Sequence, residues 1–396
     1  MKRTVVTMPG DGIGEAVLEE SIRVLDAVGF EADYVHADIG WEFWCREGNP
    51  LPQRTIDLLD RHGIALFGAI TSKPKDLADA ELDPSLRGKG LVYYSPIVAM
   101  RQHFDLDICI RPCRAYRGNP LNFVRRGPDG TIEEPPVDAV IFRQNTEGLY
   151  GGVEWTAPPE EVYRALMTHP KFRANFGDVP REDLAVSTRI FSRNACRRIS
   201  AAAFAYARKH GYRSVTVCEK PNVIRETSGM LREAARKVGE DYPDIELWET
   251  NIDAQMMWLT KNPEDYGVII SGNMFGDIVS DGFAGLVGGL GFACSANIGD
   301  RVAVFEPTHG SAPKYAGYPV SIVNPIAMIL SSCMMLDHLG EADAASRIRG
   351  AVEKVVADGK VRTYDMLKLR GSPEVLGQGA AGTRQMGDAI IAAMEG

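Results

Sequence analysis

Short apolar runs alternate with amphipathic stretches along almost the whole chain. Residues 214–218 read as a strand, 225–238 as a helix, 245–249 as a strand and 254–260 as a helix. A buried strand is a brief unbroken apolar run, whereas a helix repeats its apolar residues every three or four positions. Alternation of the two defines an α/β chain. At 396 residues the chain can bury a large core and divide into two domains. Two stretches break the pattern. Residues 125–136 (RRGPDGTIEEPP) are charged and rich in Pro and Gly, which predicts a surface loop or hairpin between strands. Residues 157–183 carry several prolines and weak periodicity, which predicts an arm outside the main sheet. The C-terminal third carries helical patterns near 325–338 and 342–357, a Gly-rich segment, and a last helix near 384–394.

A net charge of −9 argues against nonspecific nucleic-acid binding, which needs a basic surface. An anionic substrate would depend on a local arginine cluster. The seven cysteines form no CxxC pair, and Cys109 and Cys113 read as strand and loop core residues. An odd, unpatterned set fits a reducing compartment. The N-terminus runs from Lys2-Arg3 straight into a strand-like stretch with no signal-peptide run, and no segment is apolar enough to span a bilayer. A cytoplasmic protein with neither nucleic-acid nor membrane partners is expected.

Asn273-Met-Phe-Gly-Asp277-Ile-Val-Ser-Asp281 follows the apolar run 266–270 and opens a helix with two carboxylates four residues apart. Residues i and i+4 share a helix face at about 6 Å, so like charges there call for a neutralising partner. A divalent cation such as Mg²⁺ or Mn²⁺ prefers such hard oxygen ligands. The alternative is an Asp placed for the helix dipole and a second on a solvated face.

Gly10-Asp11-Gly12-Ile13-Gly14 follows the first strand, and Asp33 lies further on. This invites a Rossmann reading, although the spacing is GxGxG and not GxGxxG. A tight strand-to-helix turn explains it equally well. Arg111 and Arg143 each close an apolar run, which puts them at strand ends. With Arg101 they suit a polyanionic small molecule, since arginine grips carboxylate in bidentate fashion. Solvated surface ion pairs are the alternative. Tyr150 sits in a glycine-flanked polar run and could donate a proton if a nearby cation lowers its pKa. Lys220 ends a strand, where a lysine near other cations can serve as a base. The Gly-rich loop from Thr308-His309-Gly310 to Lys314-Tyr315 suits phosphate and adenine contacts.

Together these motifs resemble the β-decarboxylating dehydrogenases of isocitrate, homoisocitrate, 3-isopropylmalate and tartrate, from Pro9-Gly10 to the last helix. The resemblance implies a two-domain α/β/α sandwich with a mixed central sheet, not a Rossmann fold. Its large cofactor domain would comprise residues 1–107 and 288–396, and its small substrate, metal and dimerisation domain residues 108–287. It also implies a homodimer with shared active sites. By position, Arg101, Arg111 and Arg143 would clamp the substrate carboxylates. Asp277 and Asp281 would ligate Mg²⁺ or Mn²⁺, joined by Asp253 across the dimer. Tyr150 and the opposite protomer's copy of Lys220 would be the acid/base pair. Asn222 and Thr71 lie where the family contacts substrate or nicotinamide.

Within the resemblance, an Asp in the loop of His309 and Gly310 goes with NAD, and Lys-Tyr with NADP. Lys314-Tyr315, with Tyr364 and Lys368 downstream, therefore implies NADP, and Asn324 would contact adenine. Lys368 stands where NADP enzymes have Arg, keeping the charge but losing the bidentate fork. Ser95 matches the serine that isocitrate enzymes aim at the γ-carboxylate. Ile97 stands where bacterial isocitrate enzymes place Asn and isopropylmalate enzymes Leu, Tyr94 replaces an isopropylmalate-loop Glu, and Gln144 replaces the Glu that follows the third Arg. The expected order is isocitrate first, homoisocitrate or another C3-substituted malate second, and isopropylmalate third. A non-catalytic regulatory subunit would have lost ligands, whereas Tyr150, Lys220, Asp253, Asp277 and Asp281 are all present. A metal-dependent lyase would leave Lys314-Tyr315 unexplained.

Overall fold

The computed structural model describes residues 2–395, which build one ten-stranded sheet with helices on both faces. From edge to edge the strands are Glu246–Asn251, Ser214–Glu219, Val268–Ser271, Asp138–Gln144, Ile108–Arg114, Cys294–Ile298, Ala303–Pro307, Ile64–Ala69, Arg3–Gly10 and Ala32–His36. Pairing is parallel from Glu246–Asn251 to Asp138–Gln144 and again from Ala303–Pro307 to Ala32–His36. Between those groups it is antiparallel. A mixed sheet of this order is not a Rossmann sheet, whose strands run parallel.

Local chemistry explains the elements. Ser214–Glu219 is buried at every position, as expected of a parallel strand covered on both faces. Helix Arg193–His210 starts at Ser192, whose side chain accepts from Ala195 N, and stops at Gly211 in the left-handed region. Helix Ile326–Leu339 is apolar nearly all round because it packs between the sheet and outer helices. One large core gathers this helix with the N-terminal and C-terminal helices. Separate clusters lie on the two faces around Asp138–Gln144 and Val268–Ser271.

Several expectations need correction. Arg111 does not close its strand but sits in the middle of Ile108–Arg114, paired with Ile141. The run continues because Pro112 lies beyond the ladder with Cys294–Ile298, where no backbone donor is required. Cys113 accordingly lies in the same strand as Cys109, and both are buried free thiols. Asp33 pairs with Thr4 at the start of the first strand, opposite the end that carries Gly10. It meets Lys2 at 2.7 Å at the surface and cannot serve a ligand at the glycine turn.

Residues 125–136 form a short hairpin that pairs Arg125–Arg126 with Ile132–Glu133. Within 157–183 lie two short helices, Glu160–Met167 and Pro170–Phe176, framed by the ribbon Glu154–Thr156 with Ala185–Ser187. No helix among the described residues is long and apolar enough to cross a membrane.

Candidate active site

Side-chain alternation puts Cys109, Arg111 and Arg143 on one sheet face, since Cys109 pairs with Arg143. Helix Asn273–Leu286 covers that face and brings Asp277 and Asp281 to the two guanidinium groups. Arg111 donates one nitrogen to Asp277 at 2.9 Å, to Ser280 at 2.8 Å and to Asp281 at 3.4 Å. Arg143 binds the same Asp277 oxygen and also Asn273 at 2.9 Å. The arginines are 8% and 3% exposed, which excludes the reading of solvated surface pairs. Burial, and then the neighbouring charge of Arg111, pushes Arg143 down to about 10, still cationic at neutral pH.

Tyr150 follows a glycine turn and lies on a short 3₁₀ segment, Leu149–Gly151. Its hydroxyl donates to Asp277 at 3.3 Å, and the Arg143 guanidinium lies 5.6 Å from its ring. Burial, followed by the Asp277 charge, holds the phenol above its ordinary value. The lowering expected from a cation, which Arg143 and Arg111 do supply, is outweighed in the single chain, and Tyr150 is a protonated donor at neutral pH. Burial also raises the Asp281 carboxyl, with Asp277 adding to the effect and Arg111 opposing it.

Arg101 stands apart. It is held at the other wall by Asn297 at 3.1 Å and Glu306 at 2.8 Å. A cavity of about 160 Å³ joins it to Arg111, Ile97, Thr308 and His309. Ile97 lines this cavity, while Ser95 precedes helix Pro96–His103 without capping it through its side chain. Gln144 substitutes for a carboxylate without loss of bonding: its side-chain oxygen accepts from the backbone of Thr146 and Glu147.

Lys220 and Asp253 form an ion pair with each other. No described hydrogen bond or ion pair links them to Tyr150, Asp277 or Asp281, and Asn222 lines a separate surface pocket beside them. The partner of Lys220 is a carboxylate and not a cation, contrary to what a lysine base was expected to need. In its ion pair Asp253 sits below the usual carboxylate range, chiefly through the Lys220 hydrogen bond. Within one chain, two of the three expected metal ligands therefore come together. The donor set of Asp277 and Asp281 fits a hard divalent cation, because both carboxylates share one helix face and Asp281 is 60% exposed.

A second cavity of about 470 Å³ runs from His309 and Gly310 to Asn324, Tyr315 and Tyr364. His309 Nε2 is buried there without a hydrogen-bond partner, an orphaned polar atom that fits a nucleotide, and the equally unpartnered Thr308 Oγ1 belongs to the smaller cavity beside Arg101. Burial lowers the His309 imidazole below its usual range. Lys314 lies 4.5 Å over the Tyr315 ring and its bond lowers the Tyr315 hydroxyl, while Lys368 is exposed in a left-handed backbone. Thr71 bonds Ser311 at 2.6 Å, so it braces this loop.

The Gly10–Gly14 turn does likewise. Gly12 has φ +59°, and a Cβ there would lie 2.1 Å from the Ser311 carbonyl. Asp11 accepts from the backbone of Thr71 and Trp41 at 2.7 Å each. Residues given no role in the sequence reading include Asn273, Ser280, Glu306, Asn297 and Asp365. Asp365 lines the nucleotide cavity and accepts from Asn324 at 3.1 Å. Its place one residue after Tyr364 was the only available signal.

Fold and site together combine a mixed ten-stranded sheet, clustered arginines, paired carboxylates and a second, larger cavity. The family model described as isocitrate/isopropylmalate dehydrogenase matches residues 4–390. Protein DlpA of Legionella pneumophila is 36% identical over 98% of this chain, which spans 58% of the length of that relative. A 3-isopropylmalate dehydrogenase of Methanothermobacter thermautotrophicus is 36% identical over 94% of this chain and 95% of its own. The crystal structure of isocitrate dehydrogenase from Methylococcus capsulatus superposes with a TM-score of 0.81 at 33% identity, covering 100% of both chains. The chain belongs to the isocitrate/isopropylmalate dehydrogenase family of oxidative, decarboxylating enzymes.

Proposed function

We propose that this protein is an NADP-dependent, metal-dependent dehydrogenase that oxidises and decarboxylates a C3-substituted malate, with isocitrate the first candidate. This reading is supported by the cluster of Arg111, Arg143, Asp277 and Tyr150, in which two guanidinium groups and a phenol contact one carboxylate. When bound, a Mg²⁺ or Mn²⁺ ion held by Asp277, Asp281 and Asp253 of the partner subunit supplies Lewis acidity at the hydroxyl and carboxylate oxygens. NADP along His309, Gly310, Lys314, Tyr315, Asn324 and Tyr364 supplies the hydride acceptor.

The chain's own groups do the rest. Arg101, Arg111 and Arg143 hold the substrate carboxylates. Lys220 of the partner subunit takes the proton of the C2 hydroxyl as hydride leaves C2. The bond from C3 to its carboxylate then breaks with release of CO₂, and Tyr150 donates its proton to C3. A non-catalytic chain has no need to retain these groups.

A homodimer follows from the same reading. Lys220 and Asp253 are separate from Tyr150 and Asp277 within one chain. Met257, Trp258 and Ile278 are large, exposed apolar side chains on the helices that carry Asp253 and Asp281. A division into a discontinuous large domain, 1–107 with 288–396, and a small domain, 108–287, is part of the proposal.

A second substrate reading rests on Ile97. Its side chain lines the cavity shared by Arg101 and Arg111, where a γ-carboxylate would meet an apolar wall and an isopropyl group would pack. The likeness to a 3-isopropylmalate dehydrogenase is as close as that to an isocitrate dehydrogenase. Parallel assays with isocitrate, homoisocitrate and 3-isopropylmalate, each with NADP or NAD in Mn²⁺ buffer, test both readings. Reduction of NADP with isocitrate alone supports the first reading. Turnover of 3-isopropylmalate alone replaces it with the second, and no turnover of any substrate overturns the function.

A further inference from the structure

Glu219 is 1% exposed and has no part in the chemistry described above. It is the last residue of strand Ser214–Glu219 and directly precedes Lys220. A buried carboxylate is costly unless it is paired and fully hydrogen-bonded, and this one is. One oxygen accepts from Gly272 N at 2.9 Å and from Arg189 at 3.0 Å. The other accepts from Arg189 at 2.8 Å and from the Ser228 hydroxyl at 2.6 Å.

Each of those contacts leads to a functional element. Gly272 is the N-cap of helix Asn273–Leu286, so its N–H is one of the donors the helix leaves unpaired, at the positive end of the dipole. A Cβ at 272 would lie 2.6 Å from both the Glu219 carboxylate and the Phe191 ring, so a side chain there would displace them. Ser228 also receives the backbone N–H of Lys220 at 3.4 Å. Arg189 stacks on Phe191 and on Phe275 of the same helix, at 4.4 and 5.2 Å. The residue after it, Ile190, accepts from Gly148 N at 2.8 Å, at the turn that presents Tyr150.

We infer that the buried Glu219–Arg189 pair is a positioning element that sets the helix of Asp277 and Asp281, the strand end of Lys220 and the turn of Tyr150 relative to one another. This rests on the proposed function for the roles of those groups. Because the reading sends Lys220 to the neighbouring protomer's site and keeps Asp277 in its own, the pair acts on both sites of a dimer. Its contribution is first to kcat and metal affinity, since no described hydrogen bond or ion pair joins Glu219 or Arg189 directly to the arginine clamps.

Glu219→Gln keeps an acceptor for Gly272 N but removes the charge that Arg189 requires. Ser228→Ala removes only the hydroxyl shared by Glu219 and Lys220 N, and guards against loss of folding. Steady-state kinetics and a Mn²⁺ titration followed by electron paramagnetic resonance should be run on full-length proteins whose folded fraction is set by circular dichroism. The expected result is a kcat about 10-fold or more lower in Glu219→Gln and several-fold lower in Ser228→Ala, with the substrate KM within about 2-fold and the Mn²⁺ Kd raised. Unchanged kcat and Mn²⁺ affinity in folded variants, or a kcat loss that tracks only the folded fraction, overturns the inference. An inactive parent protein that still binds Mn²⁺ more tightly than Glu219→Gln overturns the proposed reaction but leaves the positioning role of Glu219 at the metal helix standing.

Discussion

A single guanidinium nitrogen of Arg111 contacts both Asp277, at 2.9 Å, and Asp281, at 3.4 Å. Two carboxylates one helical turn apart repel, and in the chain by itself Arg111, together with Arg143 at Asp277, offsets them. In the proposed reaction this arrangement would hold both carboxylates ready for a cation with a substrate clamp beside them. Several measurable consequences come from this neighbourhood.

Asp281→Asn removes a carboxylate that is 60% exposed and whose ionised form burial disfavours. The metal-free variant should melt within about 0.5 kcal/mol of the parent or slightly above it. It should lose the stabilisation of about 2.7 kcal/mol that a metal at 100 times its Kd confers on the parent. Thermal melts with and without Mn²⁺ check both, and an undiminished Mn²⁺ effect would remove Asp281 from the ligand set.

Tyr150→Phe deletes the only hydroxyl that reaches Asp277 from the 148–151 turn. Loss of a general acid should lower kcat by about 10²–10⁴-fold while KM changes little. If reduced cofactor still forms in a single-turnover burst, oxidation has survived and the decarboxylated product has become the slow step. A kcat near that of the parent would assign the proton donor elsewhere.

Lys314→Asp replaces the cation stacked on Tyr315 at the rim of the nucleotide cavity. One lost charge-assisted contact to a 2′-phosphate, plus the new repulsion, should reduce kcat/KM for NADP by about 10–100-fold. Turnover with NAD should change far less. Equal losses with the two cofactors would contradict NADP selection by this loop.

Burial lowers the imidazoles of His210, His309 and His338 below their ordinary value. The unfolded chain then binds more protons than the folded one as pH falls through about 6.5, so these groups withdraw stability on acidification and return it as pH rises. His338, beside the Phe305 ring at 5.7 Å, is shifted by burial alone and isolates the effect. In His338→Gln the difference in melting temperature between pH 7 and pH 5 should be smaller than in the parent. An equal or larger difference would mean that His338 charges freely in the folded state.

Much of this protein was determined by the sequence alone. The alternation of apolar runs dictated an α/β fold, because burial of strands and of one-sided helices is written in local periodicity. Asp277 and Asp281 lay on one face for the same reason, since a helix repeat is a short-range property. The hairpin 125–133 falls within the charged, Pro- and Gly-rich stretch 125–136 that read as a surface loop or hairpin.

What only the tertiary structure decided depends on partners distant in the chain. Arg111 reads as the end of an apolar run, yet it is the middle of a strand whose ladder with 294–298 releases Pro112. The apparent Rossmann acid Asp33 falls at the wrong end of its strand, since parallel register with the first strand sets its height. Lys220 and Asp253, 33 residues apart, find each other, and the carboxylate of Glu219 reaches Gly272 over a separation of 53. Such pairings follow from strand order across the sheet, which no local window of residues encodes.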